Sequence, residues 1–151
     1  MFKIKNILLP TDFSKISLSA AEYAVELANE YKAKLHVLNV LEKTPPILAI
    51  RSLDLSREKI IESIDADAQS HLSDCIKKIK KLGDAEIISA IRKGIDYEEI
   101  IKYSKEKKID VIVIATHGRT GILHTLLGSV AEKVIRYSQI PVLVTTPRIK
   151  S

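Results

Sequence analysis

A chain of 151 residues, 46% hydrophobic and 28% charged, is long and apolar enough to bury a core without a staple. Its lone cysteine, Cys75, excludes an internal disulfide, no apolar stretch approaches the ~20 residues of a membrane helix, and the apolar run before Pro10 is too short for a secretory leader, so the expectation is a cytoplasmic protein with no membrane partner. The net charge of +5 raises nucleic acid as a partner, but acids interleave with the bases in REKIIE and KEKKID, and KKIKK at 77–81 lies on a helix with an apolar opposite face; this reads as solvated surface, with no nucleic acid bound.

The first strand is expected over residues 3–9. A helix over 15–31 places Ala20, Ala21, Ala24, Leu27, Ala28 and Tyr31 on one face. A second strand over 35–41 precedes the longest helix, 57–82, whose apolar positions Ile61, Ile64, Ala68, Leu72, Cys75, Ile79 and Leu82 recur every three or four residues and so form one stripe. The third strand is expected over 86–91. The next helix starts at Asp96, with Glu99 spaced as in a capping box in which Asp96 is the cap. VIVIA at 111–115 is continuously apolar and β-branched, which suits a strand covered on both faces. A fourth helix begins at Ser129, with Glu132 at the same spacing, and Pro141 opens a last strand over 142–145, where a missing N–H is tolerated.

Strands alternating with helices imply an α/β fold: an open parallel sheet with helices on both faces, as one domain over residues 1–151. Such sheets bind ligands beyond the carboxyl ends of their strands, where the strand order reverses. The informative residues are therefore Pro10, Thr11 and Asp12, and the stretch ATHGRTGILHTLLGS at 115–129. Three of the chain's five glycines, Gly118, Gly121 and Gly128, fall in that stretch. Glycine lets backbone N–H groups approach a phosphate and permits positive φ, and a helix N-terminus adds unpaired N–H groups and partial positive charge. Gly128 and Ser129 lead into such a helix, and Arg119 could add a charge-assisted contact. A turn at Gly121, a tight helix start at Gly128 and a cap from Ser129 with Glu132 would explain the same residues structurally, and composition alone does not choose.

THGRTGILHTLLGSVAEKVIRYSQIPVLV closely resembles the C-terminal signature of the universal stress protein family, and ILLPTDFS resembles that family's first strand and turn. The likeness runs from about residue 3 to 146. In the family's ATP-binding branch, G-x-x-G is followed by nine residues and G-[ST]; Gly118, Gly128 and Ser129 match its later part, and Ala115 replaces its first glycine. The resemblance implies a five-stranded sheet in the order 3-2-1-4-5, and ATP or another adenine nucleotide as ligand, with Mg or Mn held through the phosphates. It implies that Pro10, Thr11 and Asp12 lie near ribose and adenine, and that the backbone of Val40 meets adenine. Ile114, Ala115, His117 and Gly118 would lie beside ribose and phosphates, with Gly128, Ser129, Val130 and Ala131 receiving phosphate. It also implies a homodimer through the fifth strand, with Val142, Leu143 and Val144 at or near the contact.

His36 on the second strand, His71 on the long helix and His124, among Ile122, Leu123, Leu126 and Leu127 as in a short packed turn, do not read as a metal site, and Cys75 reads as a core thiol. No G-x-x-x-x-G-K-[ST] occurs, and no G-x-G-x-x-G follows the first strand. The expected role is a nucleotide-binding regulatory or stress-response module. The alternatives are a family member that acts through protein contacts without nucleotide, and a slow ATPase, which nothing in the spacing demands.

Overall fold

The computed structural model describes residues 1–43, 56–116 and 128–147. His117, Gly118 and Arg119 lie outside the described residues, as do Gly121 and His124. The elements in chain order are β1 (Asn6–Pro10), α1 (Lys15–Leu18), α2 (Ala21–Tyr31), β2 (Lys34–Leu41), α3 (Arg57–Lys80), β3 (Ile87–Lys93), α4 (Asp96–Glu106), β4 (Val111–Ala115), α5 (Ser129–Tyr137) and β5 (Val142–Thr145). The strands form a five-stranded parallel sheet in the order β3-β2-β1-β4-β5, as expected.

The pleat divides the sheet's apolar side chains between two cores. Ile7, Leu9, Leu35, Val37 and Val113 face one side, against the alanines of α2 and Leu72, Cys75 and Ile79 of α3. Leu8, Leu38, Ile112 and Ile114 face the other, against Ile100 and Tyr103 of α4 and Ala131 and Val134 of α5. Ala21, Ala24 and Ala28 are buried, so α2 rides close to the sheet with little side chain between. Tyr31, placed by periodicity on the same face, is instead 52% exposed at the helix end. On α3 the buried stripe is Ile60, Ala68, Leu72, Cys75 and Ile79; Ile61 is only half-buried, and Leu82 lies exposed beyond the helix end. Of the KKIKK run, Ile79 is buried and the four lysines are exposed. Burial pushes the Cys75 thiol up to about 11, the behaviour of an inert core thiol.

Three local expectations are corrected. The helix over 15–31 is two helices, because serine side chains take over the backbone bonding at the break: Ser17 Oγ donates to Ser14 O and Ser19 Oγ to Ile16 O, and Ser19 N–H bonds Ile16 O as well as Lys15 O. Asp96 is the first helical residue of α4, not its cap. Ile95 holds the cap position, with no side-chain cap bond, and Asp96 Oδ1 accepts from Tyr97 N–H at 2.6 Å. At α5 the cap is Gly128, again with no side-chain cap bond, so Ser129 does not cap. Strand ends shift too: β1 starts at Asn6 and includes Pro10, and β3 extends to Lys93.

Candidate functional site

β1 and β4 are neighbours, yet their register holds only at Ile7↔Val111 and Leu8↔Ile112. Beyond Leu8 the pairing of these two strands ceases, while β1 continues to Pro10 against β2 and β4 to Ala115 against β5. A crevice of about 200 Å³ opens between them. Pro10, Thr11 and Asp12 line it from β1, Val40 from β2, Ile114 and Ala115 from β4, and Val130 from α5. These seven were expected from the sequence. Ser17, Leu38, Asp96 and Ile100 also line it and were not. Gly128 and Ser129 stand at the start of α5, while Ala131 is buried in the second core. Ala115 is 7% exposed and its side chain belongs to the first core, so its methyl group has packing partners of its own.

The turn that carries Asp12 is held from several directions. Thr11 N–H donates to Leu38 O at 2.9 Å, and Asn39 Nδ2, buried on β2, donates to Thr11 O at 2.8 Å. Thr11 Oγ1 accepts from Phe13 N–H and lies 2.8 Å from Ser17 Oγ. Asp12 Oδ1 accepts from Ser14 N–H at 3.0 Å, and Ser14 Oγ caps α1 by accepting from Ser17 N–H. Phe13 sits at φ 69°, a left-handed conformation that costs about 1 kcal/mol in a residue with a Cβ. The bonds around it offset that cost, and they hold the Asp12 side chain where it lines the crevice.

β2 offers a second recognition element, made of backbone. In a parallel ladder successive residues turn their N–H and C=O alternately toward the two neighbouring strands. Leu38 O accepts from Thr11 on the β1 side, and Leu41 O accepts from Gly94 on the β3 side. Val40 therefore turns its N–H and C=O toward β1. The β1–β2 register ends at Pro10↔Leu38, so that edge faces the crevice. Around it, Pro10, Leu38, Ile100, Ile114 and Val130 make the walls apolar.

At the far side, Gly128 N–H donates to the Thr116 carbonyl, which draws the start of α5 onto the end of β4. Glu132 N–H closes the first helical turn on Gly128 O. The N–H groups of Ser129, Val130 and Ala131 precede that first intrahelical bond and are the helix's orphan donors. Gly128 has φ −70°, which any residue adopts, so its backbone conformation does not call for glycine. Among the described residues, no three His, Cys, Asp or Glu side chains converge as metal ligands. His36 is buried in the second layer, hydrogen-bonded to Tyr103 and Asn6, and His71 lies against the Phe13 ring.

The crevice lies at the reversal of strand order, where doubly wound α/β proteins bind their ligands, with a carboxylate, an open backbone edge and a helix N-terminus around apolar walls. The chain matches the Universal stress protein family over residues 3–146, and it belongs to that family. Universal stress protein MJ0531 of Methanocaldococcus jannaschii is 35% identical over 143 residues, covering 93% of this chain and 81% of that one. Universal stress protein MJ0577 of the same organism is 31% identical over 152 residues, covering 93% of each. The structure described as a structure-based assignment of the biochemical function of MJ0577 superposes with TM-score 0.79 at 29% identity, covering 97% of this chain and 98% of that one. A universal stress protein in complex with cAMP shares the fold with TM-score 0.72 at 23% identity, covering 97% and 99% of the two chains. No helix among the described residues is long and apolar enough to cross a membrane.

Proposed function

We propose that this chain is an adenine-nucleotide-binding regulatory module of the universal stress protein family, with ATP as the expected ligand. The observation that carries the reading is the open Val40 edge. A backbone N–H beside a C=O complements the N1 acceptor and 6-amino donor of adenine, and the apolar walls suit the faces of the ring. Asp12, held by its turn, would accept from ribose hydroxyls. The orphan N–H groups of Ser129, Val130 and Ala131, with the partial positive charge of the α5 N-terminus, suit a phosphate. The family motif assigns His117 and Gly118 to the phosphate side, and Arg119 is assigned there for its charge. A cyclic adenine nucleotide bound by a fold neighbour is consistent with this ligand class. A Mg or Mn ion would be held through the phosphates and would supply charge neutralisation there.

We read the protein as a homodimer through β5 at the sheet edge, and as a cytoplasmic, single-domain chain. The test of the ligand is a thermal-shift comparison on protein stripped of nucleotide. ATP with Mg should raise the melting temperature more than adenosine does. Equal shifts would remove the phosphate cradle from the reading, and no shift with either would remove the nucleotide.

A further inference from the structure

The crevice carries a second carboxylate that the family resemblance did not point to. Asp96 begins α4, and together with Val40 it lines both the crevice and a larger adjoining cleft of about 740 Å³. The two residues therefore mark the same end of the crevice, the end where the Val40 backbone edge is open. Asp96 Oδ1 accepts from Tyr97 N–H at 2.6 Å, which orients the carboxyl group and leaves Oδ2 as an acceptor. An ionised carboxylate accepts hydrogen bonds and donates none.

We propose that Asp96 selects a 6-amino purine over a 6-oxo purine, an inference that rests on the nucleotide reading above. A 6-amino group carries two N–H donors in the plane of the ring. The Val40 carbonyl takes one, and the Asp96 carboxylate, which lines the same crevice, takes the other. A 6-oxo purine presents an oxygen at that position instead, and that oxygen meets two acceptors and no donor. The rejection is thus built from a repulsive contact as well as a lost attractive one. Asp96 is exposed and borders the wider cleft, so water competes for the same position. The contribution of the side chain to the preference is then about tenfold, far below the ~10⁴-fold of a fully enclosed donor–acceptor site.

The experiment is titration calorimetry of the whole protein with ATP and with ITP, which share ribose and phosphates and differ at the 6-position. It is done on wild type, Asp96→Asn and Asp96→Glu. An amide can donate to a 6-oxo group, so Asp96→Asn should lower the ATP/ITP affinity ratio by about tenfold. Asp96→Glu, which keeps the carboxylate, should still prefer ATP. A merely structural role at the start of α4 would weaken both ligands together and leave the ratio alone. A ratio within twofold of wild type in Asp96→Asn, or equal wild-type affinity for the two ligands, would overturn the proposal while leaving nucleotide binding standing. Wild type that binds neither ligand would overturn the reading of the site itself.

Discussion

His36 of β2 and Tyr103 of α4 meet in the second core, with His36 Nδ1 2.8 Å from the Tyr103 hydroxyl. On the other side of the ring, His36 Nε2 lies 3.3 Å from Asn6 Oδ1. Asn6 Nδ2 donates to Lys108 O, which fixes the amide so that its oxygen faces the imidazole. The proton of neutral His36 therefore sits on Nε2, and Tyr103 donates to Nδ1. Protonating Nδ1 would force the tyrosine hydroxyl to turn round in a buried site. Burial lowers the His36 pKa first, with Lys107 and Lys34 adding to it and Glu86 opposing.

The sign of the resulting pH dependence follows. The unfolded chain takes up a proton near pH 6.5, while the folded chain resists until a lower pH. His36 thus contributes stability that is complete above pH 6.5 and is lost as pH falls from there through the folded pKa. Urea denaturation of wild type between pH 7.5 and 5 should show a loss that His36→Gln lacks. The difference in slope should be at most about 1.4 kcal/mol per pH unit, the limit for one proton. Parallel slopes in the two proteins would show that His36 is protonated as easily folded as unfolded.

Lys32 and Lys108 each end a helix with φ 52°, in the left-handed region that disfavours a Cβ. Both positions are followed by a closing bond, Ala33 N–H to Ala28 O and Ile109 N–H to Ser104 O, each 2.9 Å. Both lysines are exposed, so glycine would remove strain and little else. Lys32→Gly and Lys108→Gly should each leave stability unchanged or raise it by up to about 1 kcal/mol. Denaturant midpoints measure this. A loss above 1 kcal/mol at either site would mean that the lysine stem carries packing the conformation alone does not reveal.

Gly128 separates folding from binding. Its φ of −70° and ψ of 155° suit a serine cap, and serine caps a helix slightly better than glycine, by a few tenths of a kcal/mol. Gly128→Ser should therefore keep or raise the melting temperature. In the proposed site it should also weaken ATP, by about tenfold or more, because a side chain enters the space where phosphate approaches α5. Calorimetry and a thermal melt on the same variant check both halves. Unchanged ATP affinity would take the phosphate away from this helix.

β5 lies at the edge of the sheet, where an apolar strand invites pairing. Val142 and Val144 are half-buried and pack on the second core, whereas Leu143 is 40% exposed on the opposite face. Leu143→Glu is for that reason a cleaner probe than any change at Val144. Sedimentation at micromolar concentration should show a dimer for wild type and a shift toward a folded monomer for Leu143→Glu, with a melting temperature lowered by the lost association. A monomeric wild type would contradict the β5 dimer.

Much of this arrangement is readable before any coordinates exist. VIVIA is apolar at every position because β4 is central and covered on both faces, and all five of its residues are buried. The alanine face of α2 and the stripe of α3 follow from helical periodicity. What escapes is decided by contacts between elements distant in sequence. Asp96 and Ile100 become crevice residues only once α4 packs beside the end of β2, and no local pattern states that. The serines at 14, 17 and 19 compete for backbone bonds, and propensity over a long window averages that competition away. One further signal stands in the sequence: Asn39 is polar within the apolar run KLHVLNVL, and a buried amide in such a strand implies a partner such as the Thr11 carbonyl.

The reading of the crevice rests on the backbone of Val40 meeting a base. The most direct measurement is an amide nitrogen–proton NMR titration of isotopically labelled, nucleotide-free protein with ATP. The Val40 amide should show one of the largest shifts, saturating together with those of Asp12, Ser129 and Val130. A saturating titration in which Val40 does not move, with shifts gathered away from the crevice, would contradict the site proposed here.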